Sequence, residues 1–146
     1  MERMIFINLP TRDLAASDAF YAGLGFTKNA DFSNEMASSW MITQTSWIMI
    51  LSEDFYSTFL RNGDAPAYGT GGREVLNAIS GESRAEVDEF AARALAHGGT
   101  IYREATEEMP GMYSVAFLDP DGHEWEVGWM DMSAFAGDAS NTEATA

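Results

Sequence analysis

The chain has 146 residues, no cysteine and a formal net charge of −15, and 46% of its residues are hydrophobic. This size and composition are those of one folded domain with its own core, and they exclude a disordered chain. Its 8 lysines and arginines form no cluster among 23 acidic residues, which excludes a nucleic-acid-binding surface.

The absence of cysteine excludes disulfides, thiolate zinc sites and a cysteine nucleophile. No apolar run approaches the roughly 20 residues of a membrane-spanning helix. The first residues, 1–4, lead directly into a strand and carry no secretory signal pattern. We therefore expect a cytoplasmic protein without a membrane partner.

The first half of the chain predicts one helix among several strands. A strand at 5–9 is followed by Pro10, which lacks the N–H that would continue it. Asp13 is a typical N-cap for the helix that follows, and Gly25 a typical residue just past its end. Further strand-like runs lie at 27–32, 40–43 and 47–51, the last two joined as a hairpin.

The second half repeats this order after a glycine- and proline-rich connection at 54–73. Ser83 and Glu86 form the S-x-x-E pattern of a capping box, and Gly98 and Gly99 end the helix that it begins. The strand-like runs of this half lie at 74–80, 100–103, 113–118 and 124–130.

The repetition predicts two similar units within a single domain, 1–131. The first unit covers about 4–53 and the second 74–131, and a loose tail rich in Ala, Ser and Thr follows at 132–146. A unit of this size cannot close a core alone, so the two units should pair and enclose a shared space.

Two motifs carry a resemblance to a known family. One is Asp13-Leu14-x2-Ser17-x2-Phe20-Tyr21-x2-Leu24-Gly25-Phe26, and the other is Asp119-Pro120-Asp121-Gly122-x3-Glu126. With the repeat between them, the chain resembles the vicinal oxygen chelate superfamily, which includes glyoxalase I, extradiol dioxygenases and bleomycin-resistance proteins. It looks similar to an uncharacterised branch of it described as predicted lactoylglutathione lyases.

The resemblance implies an α+β fold of two βαβββ modules related by pseudo-twofold symmetry. Their strands would form a curved, open, glyoxalase-like cup with the helices outside. In catalytic members, His and Glu/Gln side chains at four positions of the cup hold a divalent metal. The matching positions here are Phe6, Met49, Leu76 and Glu126.

Three of these four side chains have no lone pair that a hard divalent cation would accept. We therefore expect no cofactor. A metal held by Asn8, Glu124 and Glu126 remains an alternative, although that set contains no histidine. Strand alternation places His123 on the face opposite Glu126, and His97 follows a helix C-terminus, so neither histidine is expected in the cup.

Glu126 is the candidate catalytic residue, because a carboxylate facing an apolar cup is either paired or kept for a ligand. The structural alternative is a carboxylate hydrogen-bonded to Asn8 or to a tyrosine. The other candidate ligand-binding residues are Phe6, Asn8, Trp40, Met49, Leu76, Tyr113 and Glu124.

Two functions remain open. The first is a binding protein without a metal, similar to the bleomycin-resistance members, in which Glu126 and the negative charge favour a cationic small molecule. The second is a metal-dependent lyase, isomerase or dioxygenase that uses Glu126 as base. In both cases the resemblance, together with the aromatic side chains Phe55, Tyr56 and Phe59, implies a homodimer.

Overall fold

The computed structural model describes residues 1–61 and 63–134. Each half of the chain forms one long helix and four strands. The first half contains β1 (Ile5–Thr11), α1 (Leu14–Leu24), β2 (Thr27–Asn29), a 3-10 turn (Ala30–Phe32), β3 (Ala37–Thr43), β4 (Ser46–Ser52) and the short helix α2 (Glu53–Ser57). The second half contains β5 (Asn77–Ser80), α3 (Arg84–Ala96), β6 (Thr100–Met109), β7 (Met112–Leu118) and β8 (Glu124–Met130).

The predicted helix ends are confirmed at the atomic level. The Asp13 side chain accepts a hydrogen bond from the backbone N–H of Ala16, and Gly25 ends α1 in the left-handed conformation with φ of 98°. The Ser83 side chain likewise accepts from the N–H of Glu86 at the start of α3. Local polar side chains therefore define where both long helices begin.

The two halves have the same strand order. Sheet 1 runs β1-β4-β3-β2 and sheet 2 runs β5-β8-β7-β6. In each sheet the first strand pairs with the fourth in parallel, and the remaining pairs are antiparallel. The predicted α+β fold of two βαβββ modules is thus confirmed, and the strands form two open four-stranded sheets.

One core joins the two modules. α1 packs on sheet 1, α3 packs on sheet 2, and the two helices also contact each other. Phe20 and Tyr21 of α1 are fully buried together with Trp125 and Val127 of β8. The helices therefore cover one face of each sheet, and the opposite faces are the open ones.

Five strands differ from the prediction by two residues or more. β2 ends at Asn29, β3 begins at Ala37 and β6 continues to Met109, while β1 and β5 differ at one end each. β1 continues through Pro10 to Thr11. A proline is tolerated there because β1 is an edge strand that pairs only with β4. β5 begins only at Asn77, so Leu76 precedes the strand and is 64% exposed.

In the described part of the chain no helix is both long and apolar enough to cross a membrane. The predicted tail lies outside the described residues from position 135 onward. The residue limits predicted for the modules, the connection and the tail stay predictions. The cytoplasmic location also stays a prediction.

Candidate functional site

The open face of sheet 1 carries Phe6 and Met49, two of the residues that the family resemblance aligns with metal-ligand positions. Met49 lies between Ile48 and Ile50, which are buried on the helix side, so its side chain points to the open face. Phe6 is half exposed and stacks on Trp47 with ring centroids 6.5 Å apart. Phe6, Trp47 and Met49 therefore form an apolar and aromatic patch on this face.

Two of the predicted ligand-binding aromatics do not reach the open faces. Trp40 is 2% exposed and packs against Tyr21 of α1, with ring centroids 6.3 Å apart. Tyr113 donates a hydrogen bond from its hydroxyl to Asp88 of α3, at 2.6 Å. Both side chains lie on the helix-facing sides of their sheets and stabilise the core.

Glu126 lies on the open face of sheet 2, where it is paired with an arginine. Arg103 of β6 donates from Nη2 to Glu126 Oε2 at 3.0 Å and to Ser114 Oγ at 3.1 Å. Asn8 instead donates its amide to the backbone carbonyl of Phe6. Sequence reasoning missed Arg103, because its pairing with Glu126 depends on β6 and β8 lying on either side of β7.

The side chains at the four ligand positions do not fit a divalent metal. Phe6, Met49 and Leu76 supply only carbon or thioether sulfur, and the Glu126 carboxylate is held by Arg103. Among residues 1–61 and 63–134 no three His, Cys, Asp or Glu side chains come close enough to hold a metal ion.

A groove with a volume of about 440 Å³ lies where the two modules and their connection meet. It brings together Asn8 of β1 and Glu124 of β8, two of the predicted ligand-binding residues. Its apolar lining is formed by Ile7, Leu9, Tyr56, Leu60 and Val75. We call this space the seam groove.

The polar end of the seam groove is built by the last residue of the connection. Arg73 donates from Nη1 to the carbonyl of Gly122 at 2.6 Å, and its Nε lies 3.5 Å from Glu124 Oε2. Asn77 donates its amide to the backbone carbonyl of Glu124 at 3.1 Å. The start of β8 is thereby held against both the connection and β5.

His123 lines the same groove, but its ring is engaged in the structure. Its Nε2 lies 2.7 Å from the carbonyl oxygen of Pro10, and Tyr68 stacks on it with ring centroids 5.6 Å apart. The interpretation of His123 as a structural residue near the turn of the Asp-Pro-Asp-Gly motif is supported by these contacts.

Two buried carboxylates of that turn bind module one to module two. Asp121 accepts hydrogen bonds from Thr11 Oγ1, Ser17 Oγ and the backbone N–H of Arg12, at 2.6–3.1 Å. Asp119 accepts from the hydroxyl of Tyr21 at 2.7 Å. We call these contacts the inter-module latch.

Burial raises the pKa of Asp119 above the ordinary value of 3.8, because a desolvated carboxyl group disfavours its charged form. Since the pKa is higher in the folded than in the unfolded chain, protonation of Asp119 favours folding. Its stabilising contribution is fully present below pH about 3.8 and is lost as the pH rises through the folded pKa.

We predict that wild type gains stability relative to Asp119→Asn as the pH falls from 7 towards about 4. The comparison cancels the titration of distant carboxyl groups, which is common to both proteins, and reports Asp119 together with its electrostatic interactions with His123 and Asp121. Denaturant unfolding at several pH values measures the difference. If the difference in unfolding free energy between the two proteins stays constant, or favours wild type more at higher pH, the raised pKa of Asp119 is contradicted.

The paired modules, each with a parallel first and last strand, define the class of glyoxalase-fold proteins. The model of the Glyoxalase/Bleomycin resistance protein/Dioxygenase superfamily matches residues 3–127, and the chain belongs to this superfamily. No curated protein sequence matches the chain.

Solved structures show the same fold at low sequence identity. A hypothetical protein from S. aureus is 22% identical with a TM-score of 0.74, over 88% of this chain and 95% of that one. A glyoxalase-related enzyme from Fulvimarina pelagi is 24% identical with a TM-score of 0.74, over 88% of both chains. A lactoylglutathione lyase from Agrobacterium tumefaciens is 22% identical with a TM-score of 0.61, over 88% of this chain and 93% of that one.

Proposed function

We propose that this chain is a small-molecule-binding protein of the superfamily, whose ligand lies in the seam groove without a bound metal. The observation that carries the proposal is the groove itself, which combines an apolar lining with the polar groups of Asn8 and Glu124. A concave, mainly apolar space with a few convergent polar groups is the usual form of a small-molecule site.

The four positions that hold metal in catalytic relatives support binding rather than metal chemistry. Phe6, Met49 and Leu76 offer apolar contact area on or near the open faces. The Arg103–Glu126 pair places hydrogen-bonding groups on the sheet 2 face. A ligand that extends from the seam groove onto the open faces of the two sheets would contact both the apolar side chains and the hydrogen-bonding pair.

Filling the groove tests its role as the binding site. Val75 and Leu95 are 59% and 58% exposed, but only Val75 lines the groove. We expect Val75→Trp to abolish binding of a naphthyl-sized probe and Leu95→Trp to leave it unchanged. Isothermal titration calorimetry measures both, and unchanged binding by Val75→Trp would contradict the proposed location.

The alternative function is a metal-dependent lyase, isomerase or dioxygenase with Glu126 as base. We predict that the adduct of methylglyoxal and glutathione is not turned over, with or without added Ni²⁺ or Zn²⁺. The reason is that a carboxylate paired with Arg103 cannot replace the metal that stabilises a developing enediolate. Metal-dependent turnover that Glu126→Gln abolishes would establish the enzyme instead.

We also propose that the chain forms a homodimer. Ile5 and Phe6 on edge strand β1 and Leu76 before β5 are 57%, 50% and 64% exposed. Apolar side chains grouped at two sheet edges favour burial against a partner surface. Of the aromatics first considered, Phe59 is largely exposed, whereas Phe55 and Tyr56 are half-buried.

We expect light scattering at micromolar concentration to give the mass of a dimer. Ile5→Asp should shift the protein towards the monomer, because it places a charge on the exposed edge of β1. Leu95→Asp on α3 is the matched control and should leave the dimer intact. A monomeric wild-type protein at this concentration would overturn the proposal.

A further inference from the structure

Glu124 is a buried carboxylate with an unusual lack of hydrogen bonds. Its side chain is 8% exposed, and its nearest cation, Arg73 Nε, lies 3.5 Å from Oε2. An N–H···O hydrogen bond normally spans 2.7–3.2 Å. Within the described part of the chain, no N–H or O–H group donates a hydrogen bond to this carboxylate.

The other buried carboxylates of the same region are satisfied. Asp119 accepts from the hydroxyl of Tyr21 and from two backbone N–H groups. Asp121 accepts three hydrogen bonds in the inter-module latch. Glu124 differs from both, because it accepts no hydrogen bond from the described residues and lines the seam groove, so its carboxylate is available to a donor on a molecule in the groove.

The groove carries more negative than positive charge. Asp64 and Glu74 line it together with Glu124, and Arg73 is the only lysine or arginine among the described residues that do so. The guanidinium of Arg73 pairs with Glu124, donates to the carbonyl of Gly122 and lies over the ring of Tyr102, so it offsets only one of the three acidic side chains. The groove therefore favours a cationic group over an anionic one.

Glu126 is less suited to this role, although the sequence favours it as the recognition carboxylate. It accepts a hydrogen bond from Arg103 at 3.0 Å, and its side chain is 42% exposed. A solvated carboxylate that is hydrogen-bonded to an arginine gains little from a ligand cation. Glu124 also lies beside an arginine, Arg73, but it accepts no hydrogen bond from it and is 8% exposed, against 42% for Glu126.

We infer that Glu124 is the residue that selects the ligand, and that the ligand is an amphipathic molecule with a protonated amine. The amine donates to the free acceptor positions of the Glu124 carboxylate. The apolar part of the ligand packs against Leu9, Leu60 and Val75. This inference rests on the proposed function, since it assigns the ligand class of the seam groove.

Two probes of equal size test the inference: naphthylmethylamine, which is a cation at neutral pH, and naphthylmethanol, which is neutral. We expect wild type to bind the amine more tightly in titration calorimetry. Glu124→Gln should weaken the amine by about tenfold to hundredfold and the alcohol by less than about threefold, because a hydrogen bond to a charged group is lost. Glu126→Gln tests the competing carboxylate. Glu89→Gln on α3, exposed and outside the seam groove, is the matched control and should change neither probe by more than about threefold.

The outcomes separate the inference from the proposed function. Equal weakening of amine and alcohol by Glu124→Gln, or selective weakening of the amine by Glu126→Gln, would overturn the assignment of Glu124. If Glu124→Gln does not fold, the wild-type protein alone still tests the inference. Equal affinity of wild type for the amine and the alcohol would overturn the assignment of Glu124. If neither probe binds, or if binding is unaffected by Val75→Trp, the seam groove itself is not the site.

Discussion

Replacing Asp121 by alanine is expected to lower the free energy of unfolding by about 3–5 kcal/mol. The carboxylate is 9% exposed and accepts hydrogen bonds from Thr11, Arg12 and Ser17 of the first module. Alanine removes the acceptor that all three donors share, and of the three only the hydroxyls of Thr11 and Ser17 keep another hydrogen-bond partner among the described residues. The loss should be large because the same contacts dock one module on the other.

Chemical denaturation followed by tryptophan fluorescence measures this loss. Asp31→Ala is the matched control, because Asp31 is exposed and its side chain takes part in no hydrogen bond among the described residues. We expect the control to change stability by less than about 0.5 kcal/mol. An Asp121→Ala protein as stable as Asp31→Ala would mean that the latch contributes nothing to folding.

Removing the hydroxyl of Tyr21 is expected to cost about 2–3 kcal/mol of folding stability. Tyr21 is fully buried, donates to Asp119 Oδ2 at 2.7 Å and accepts from Trp125 Nε1 at 3.1 Å. Tyr21→Phe therefore leaves one buried acceptor and one buried donor unsatisfied, while the packing of the ring is preserved.

Tyr102→Phe provides the comparison for this variant. Tyr102 is 58% exposed, so the loss of its hydroxyl should have little effect on unfolding. The two variants remove the same atom, and their difference reports the burial of the Tyr21 hydroxyl. Equal unfolding free energies would show that water replaces the lost hydroxyl in the core.

The sequence was sufficient to predict the course of the backbone. Asp13, Ser83 and the glycines after each helix act through contacts within a few residues, and the structure has both helices at these positions. The repeated order of elements predicted the two similar modules, and the sheets have matching strand orders. Such signals are local, so they are readable without knowledge of the partner surface.

The sides on which aromatic side chains lie were harder to predict. The pairing of β3 with β4 is shifted between Met41 and Thr43, which interrupts the alternation through the hairpin. Trp40 therefore faces α1, although its residue type suggested a ligand site. Tyr113 similarly lies opposite Trp129 on the helix side of sheet 2.

The sequence by itself determined the fold class, the helix ends and the carboxylate after the Asp-Pro-Asp-Gly turn. Only the tertiary structure decided which groups the carboxylates of Glu126 and Asp121 contact. Glu126 and Arg103 are 23 residues apart, and Asp121 and Thr11 are 110 apart. Partners this distant are brought together by the packing of whole modules, which buries one carboxylate among donors and leaves Glu124 facing a groove.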